Sequence, residues 1–537
     1  MSYLDVPRLH FAGTFTADPS TINNTIANYD PANRGQLNLS WNPYGSHAWT
    51  VTATVRSFVD GSGTLHLAGD PVIGAGCQSH AAKYPAKLVD LDTDQQGRTR
   101  LYGFDLRLVA GGATLLQGHF LEAGTLLNLW FTRVPSMSGD TAAGGAFQSV
   151  LQALQWDAGS SPLLGQLQAA SPDGLSIRLS CYGYNDRQQS AGFQHGKIVG
   201  TIGPWQRGQP RFNAVDRFLG PPPPPAGWTG GSPLWFAPAK VDPRRSTLTF
   251  DLGNSVPEQT PGGPPIDLGT MQAAVLLPGG PAALGAIDYQ LEVTAGVAQV
   301  ELTPQQLQQV AGQPLAVLIA GGVGLAESSN GLYTEADGAT LYMNPGDRGS
   351  MTLVATTFGQ PAPGLALPLT LIPQPGPDGQ DQNNQPAGAL SFPQSVTTGA
   401  DGRAEIPLQA SNPAPKPARR KFVDGQLYFI GGPWASAADN VPGAPITVKV
   451  FNSIDPPIVN PTWKDVAPIL FEYYFLYAYM ASIVDLSSYD DVKANAKPIA
   501  AVLALPESDP NFMPVTREMS ADQRRLVLQW LQAGCPA

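Results

Sequence analysis

The sequence predicts a mainly β, multi-domain protein: a β-rich N-terminal domain, a β-sandwich region and a small C-terminal α-helical domain. Three observations predict it. The chain carries 58 Gly and 52 Pro in 537 residues, which breaks long helices and suits short strands joined by turns. Runs rich in β-branched and aromatic residues recur between Gly, Pro, Asn and Asp clusters. After Pro461 this strand pattern stops and helical spacing takes over.

At 56.6 kDa the chain exceeds one ordinary core. Composition shifts divide it into 1–253, 268–339, 340–455 and 461–537. In the first segment LHFAGTFTA, WTVTATVRSFV, TRLYGFDLRLVAG, LSIRLSCYGY and STLTFDLGN read as strands. AFQSVLQALQWDAG reads as one intervening helix, because Phe147, Val150, Leu151, Leu154 and Trp156 fall near helical spacing and Gly159 ends it. Pro221–Pro225 reads as a stiff surface loop. A breaker cluster at 254–269 marks a boundary. In the second segment QAAVLLP, VAQVELT and PLAVLIAGG read as strands, and TPQQLQQVAG as a helix with Thr303 as N-cap and Pro304 in its first turn.

From 340 to 455 strand-like alternation returns. Asp401-Gly402 supplies the positive φ of a tight hairpin turn. Thr398, Ala400, Asp401, Gly402 and Ala404 resemble the turn of invasin-type bacterial immunoglobulin-like domains. That resemblance implies an immunoglobulin-like β-sandwich that acts as a spacer or interaction module.

The net charge is −11 and the pI about 5.0, with no long basic run to neutralise phosphates over a surface, so nucleic acid is not an expected partner. Cys77, Cys181 and Cys535 form no CxxC and no zinc spacing, and an odd count suits a reducing compartment. The opening MSYLDVPRLHF has neither basic nor apolar leader character, so a cytoplasmic location is expected. Residues 466–484 are apolar but contain Glu472 and four tyrosines. They read as a buried or partner-facing helix, not a membrane span.

Residues 461–537 are similar to a bacterial class of cytochrome c domains. Trp463, Asp465, Val466, Pro468, Ile469 and Leu470 match its opening, and Met513-Pro514 its axial methionine segment. Ser520, Gln523, Trp530, Leu531, Ala533, Gly534 and Pro536 match its end. Where C-x-x-C-H should stand there are Tyr474, Tyr477 and Ala478, and no histidine follows residue 195. Covalent haem needs two thiols and a proximal imidazole. No c-type haem is therefore expected. Tyr473, Tyr474, Phe475, Tyr477 and Tyr479 are expected to fill that space, or to dock on another domain, a protein partner or a second copy.

All six histidines lie in the first segment, and a metal or ligand pocket is expected there, with His10, His119 and His195 as candidate ligands. His47, His66 and His80 complete the set; none has H-E-x-x-H or H-x-H spacing. Asp90, Asp92 and Asp94 in VDLDTDQQGR lack the glycine and glutamate of a calcium loop and read as a solvated turn. No P-loop, G-x-G-x-x-G or G-x-S-x-G context appears.

Asp5, Pro7, Arg8, His10, Phe11 and Gly13 are similar to the opening of the iminophenylpyruvate dimer (chromopyrrolate) synthases of violacein and indolocarbazole pathways. Gly196, Gly200, Ile202, Gly203 and Pro204, and Asp251-Leu252-Gly253-Asn254, look like the same family's later patterns. The ferritin-like half of those enzymes has no counterpart in this sequence. The resemblance implies a tailoring or partner protein of an oxidative secondary-metabolite pathway with a small-molecule ligand. The alternative is a scaffold that assembles through 461–537.

Overall fold

The computed structural model describes residues 2–18, 45–79, 85–90, 99–120, 123–187, 189–213, 216–222, 232–320, 322–338, 340–373, 383–413, 424–435, 445–476 and 478–537. The side chains of residues 90, 475, 476, 478 and 479 are outside this description. Asp92, Asp94, His80, Pro223–Pro225 and Tyr477 also lie outside the described residues. The chain is mainly β and multi-domain.

Its first body is a closed eight-stave barrel. The strands are β1 (Arg8–Asp18), β2 (Ala48–Val59), β3 (Leu65–His66), β4 (Gly76–Ser79), β5 (Ala86–Asp90) and β6 (Thr99–Tyr102). They continue as β7 (Asp105–Ala110), β8 (Ala113–Phe120), β9 (Gly124–Trp130), β10 (Gly144–Trp156), β11 (Gly174–Tyr182) and β12 (His195–Trp205). Along β2, Thr54 opposes Gly76 of β4 and Trp49 opposes Ala86 of β5. Thus β4 and β5 lie end to end as one stave. In the same way β6 and β7, and β8 and β9, are halves of single staves. Every stave runs antiparallel to its sequence neighbour, and β1 closes the ring on β12, with Leu9 opposite Ile202. Closure removes both sheet edges.

Period-two alternation builds this ring. Leu9, Phe11, Phe15 and Ala17 of β1 face the barrel core with Trp49, Val51, Ala53 and Val55 of β2. The helix Pro162–Ala170, capped by Ser161, sends Leu163, Leu164 and Leu167 into that core and seals one end.

The expected helix at 147–159 is a strand. β10 alternates from Phe147 to Leu151, then carries a bulge where Ala153 takes φ 48° and the register shifts before Gln155. The bulge moves the inward phase by one residue, so Leu154 and Trp156 also pack on the core. Alternation plus one bulge produced the i, i+4, i+7 spacing that resembled a helix.

A second body has a core spanning Leu219 to Leu325. The strand Thr247–Asp251 pairs with Val297–Glu301, so its sheet joins residues on both sides of the 254–269 breaker cluster. The helix Pro304–Val310 forms as expected, with a full capping box between Thr303 and Gln306. Thr303→Ala should cost about 1 kcal/mol, seen as a lower urea midpoint at unchanged slope.

The third body packs two sheets over Leu353, Ile406, Tyr428 and Val448. Gly402 has the expected positive φ, at 73°. The turn is not a hairpin, however. Ser395–Thr397 pairs with Ala366–Pro368, whereas Arg403–Ala410 pairs with Arg348–Thr357, so the turn transfers the chain between sheets.

The helical module contains Trp463–Leu476, Ala478–Ala481, Tyr489–Ala494, Ala496–Leu503 and Ala521–Gln532. Its two ends meet: the Trp463 and Trp530 rings lie 5.4 Å apart, and the Pro536 carbonyl accepts from Trp463 N at 3.1 Å and Trp530 Nε1 at 2.8 Å. Among the described residues no helix is long and apolar enough to cross a membrane.

Candidate ligand pockets

The structure does not bring the three candidate metal ligands together. His10 lies opposite Thr201, and its Nδ1 is 2.9 Å from Thr201 Oγ1. His195 lies opposite Thr16, six residues further along β1, which is roughly 20 Å. His119 is exposed on β8, opposite Gln152 of β10. Side chains alternate, so all three leave the barrel outward on different staves, and a shared metal site is not what they form. Among the described residues no group of three His, Cys, Asp or Glu side chains is placed to hold a metal ion. Burial and the neighbouring Arg8 hold the His10 imidazole well below its ordinary pKa.

The residues on which the synthase resemblance rests make packing and pairing contacts in the structure. Gly200 leaves room for the Phe11 ring, whose tip lies 2.3 Å from where a Cβ would stand. Asp5 lies 3.0 Å from Lys240, which also reaches Asp216 at 3.0 Å. Asp251 accepts from Tyr3 Oη at 2.7 Å and lies 3.0 Å from Arg178 Nε. Asn254 accepts from Trp130 Nε1 and Arg133 Nη1, and Arg133 pairs with Glu258 at 3.2 Å. These residues bolt the barrel to the second body.

Among the described residues two cavities have mainly apolar walls. The first, about 130 Å³, lies inside the barrel at the end opposite the sealing helix. Phe15, Trp49, Leu88, Leu126, Phe147 and Tyr184 line it, with Asp140 and Thr99 as polar groups. The Tyr184 hydroxyl donates to Ala17 O at 3.0 Å, which fixes that wall. Phe15 stacks between Trp49 and Tyr184, each 6.0 Å away.

The second cavity, about 350 Å³, lies where the helical module meets the barrel. Tyr473, Met480, Ile499, Leu503, Met513 and Met519 line the module's side; His47 and Lys87 line the barrel's. β5 separates the two cavities: Leu88 lines the first and Lys87 the second. His47 Nδ1–H donates to Leu88 O at 3.2 Å, and burial lowers its pKa to about 4, so the ring is neutral. Lys87 Nζ donates to Ser46 O at 2.7 Å. Burial lowers its pKa, Asp18 raises it and Arg517 lowers it.

The module is held there by Arg517, whose guanidinium lies 3.9 Å above the Tyr102 ring, and by Val515 packed against Val89 and Tyr102. Ala521 N donates to Asn344 Oδ1 of the sandwich at 2.9 Å. The described aromatic Tyr473 is buried, yet a cavity persists beside it. The expected filling by Phe475, Tyr477 and Tyr479 concerns side chains outside those described.

Sequence reasoning expected a pocket in the first segment but did not pick out the residues that line it, and it missed the second cavity. Leu88, Lys87 and His47 carry no motif, and the barrel was hidden because three staves are split by loops. No family model matches the chain, and no curated protein matches it. Among solved structures, the S-layer protein rSbsC(31-844) is 10% identical at TM-score 0.16, covering 77% of this chain and 54% of that one. Domains 1-6 of the surface layer protein SbsC are 9% identical at TM-score 0.15, covering 77% and 53%. A Salmonella alpha-2-macroglobulin mutant is 11% identical at TM-score 0.12, covering 86% and 27%. The chain spans about half the length of the two S-layer structures, and likenesses this low carry no argument about fold or function.

Proposed function

We propose that the protein binds a small aromatic molecule in the open end of its barrel. One observation carries this: a closed eight-stave barrel is packed at one end and leaves an aromatic-lined cavity of about 130 Å³ at the other. Eight-stranded barrels are just wide enough to be filled by side chains or to hold one small ligand. An apolar cavity of about 150 Å³ accepts benzene, so a single ring is the matching size. Asp140 and Thr99 would take a hydroxyl or amine on that ring. The resemblance of the opening residues supplies the context: an aromatic intermediate of oxidative secondary metabolism, with this chain as a tailoring or partner protein. The module at 461–537 fits this reading as a docking element, its described contacts running to the barrel and sandwich of the same chain.

p-Cresol should bind the full chain and raise its melting temperature, whereas cyclohexanol should bind more weakly. Leu126→Trp fills the cavity and should abolish the p-cresol shift. Unchanged binding in Leu126→Trp, or no binding at all, would sink the proposal.

A further inference from the structure

We propose that the cavity between the helical module and the barrel is a second ligand site, for an apolar carboxylate. Its volume, about 350 Å³, is more than twice that of a cavity that accepts benzene, so it suits two fused rings or a medium-length alkyl chain. Methionines at three points, Met480, Met513 and Met519, give it an adaptable apolar lining. Ile483 also lines it and is 57% exposed, which puts the way in from solvent beside that residue.

Lys87 selects the acid. Lys87 lines the wall of a largely apolar cavity, beside His47, and its ammonium is bonded to the neutral Ser46 carbonyl. Among the described residues the charged groups acting on it are Asp18 and, more weakly and with opposite sign, Arg517. Asp18 is already engaged by Ser46 N at 2.8 Å and Ser46 Oγ at 3.0 Å. The carboxylates Glu518, Asp424 and Glu472 act on Tyr473, on the module's wall of the same cavity. A ligand carboxylate at Lys87 with its apolar body among the methionines satisfies both halves of the site. The reverse amphiphile, an alkyl ammonium, meets a like charge.

Calorimetric titration of the full chain with decanoate and with decanol tests this independently of the barrel site. Decanoate should bind about ten- to a hundredfold more tightly than decanol, the range of a charge-assisted hydrogen bond. Lys87→Met should erase that preference while leaving decanol binding intact. Val502→Trp, and the milder Ile499→Phe, should weaken both ligands, with circular dichroism verifying that each variant is folded. Leu126→Trp should leave decanoate binding unchanged. Equal affinity for acid and alcohol, a preference that survives Lys87→Met, or wild-type binding in both filling variants overturns the proposal. Loss of decanoate binding in Leu126→Trp overturns it too, and assigns the ligand to the barrel.

Discussion

Asp251→Ala should destabilise the protein by about 3–5 kcal/mol, the cost of leaving one member of a buried ion pair without its partner. Asp251 and Arg178 are 6% and 5% exposed, so neither charge has water to fall back on. The Tyr3 hydroxyl and the Gly253 amide lose their acceptor in the same step. Denaturant titration of the purified variant gives the size of the loss. The double replacement Arg178→Met with Asp251→Leu removes both charges and should recover much of it. Recovery should be partial, because the Gly253 amide remains without Asp251. A double variant no more stable than Asp251→Ala would show that the ion pair is not the source.

The second large effect is on pH dependence. His47 is buried, and its folded pKa of about 4 lies below the usual value near 6.5. Between those values the unfolded chain binds a proton that the folded chain refuses. Stability is therefore full above pH 6.5 and falls as the pH drops through the window, by about 1.4 kcal/mol per pH unit and about 3 kcal/mol in all. His10 is held down in the same direction by burial and Arg8, so it steepens the same limb. Urea titrations from pH 7 to pH 4 should show the decline, and His47→Gln should make it shallower. An identical slope in His47→Gln would remove His47 from the account.

These two effects sit on residues of unequal legibility. His10 and Asp251 stand in patterns visible in the sequence, and in the structure His10 meets Thr201 while Asp251 pairs with Arg178. His47 stands in no pattern. Its importance arises because β5 and the residues before β2 meet the helical module more than 400 residues later, a relation that spacing cannot show. Strand character was readable from alternation in β1 and β2. It was misread in β10 because one bulge at Ala153 shifted the phase. The helices at 304–310 and 521–532 were readable through Thr303 and Ser520, whose caps are local chemistry. The two ends of the helical module were readable too, because Trp463 and Pro536 belong to recognisable strings. The cavities were not: a void is made by what distant side chains fail to fill, and no residue type announces it.

Ring closure has a consequence for how the chain is made. β1 leaves the ribosome before its partner β12, which lies about 190 positions later, with Leu9 bound opposite Ile202. Until residue 205 has emerged, the growing sheet can coil but cannot shut, and the outer side of β1 remains an unpaired edge. Contacts between such distant segments form slowly, and an open edge that waits is where chains stick to one another. The stretch from β1 to β12 therefore defines the interval in which this barrel most needs a chaperone.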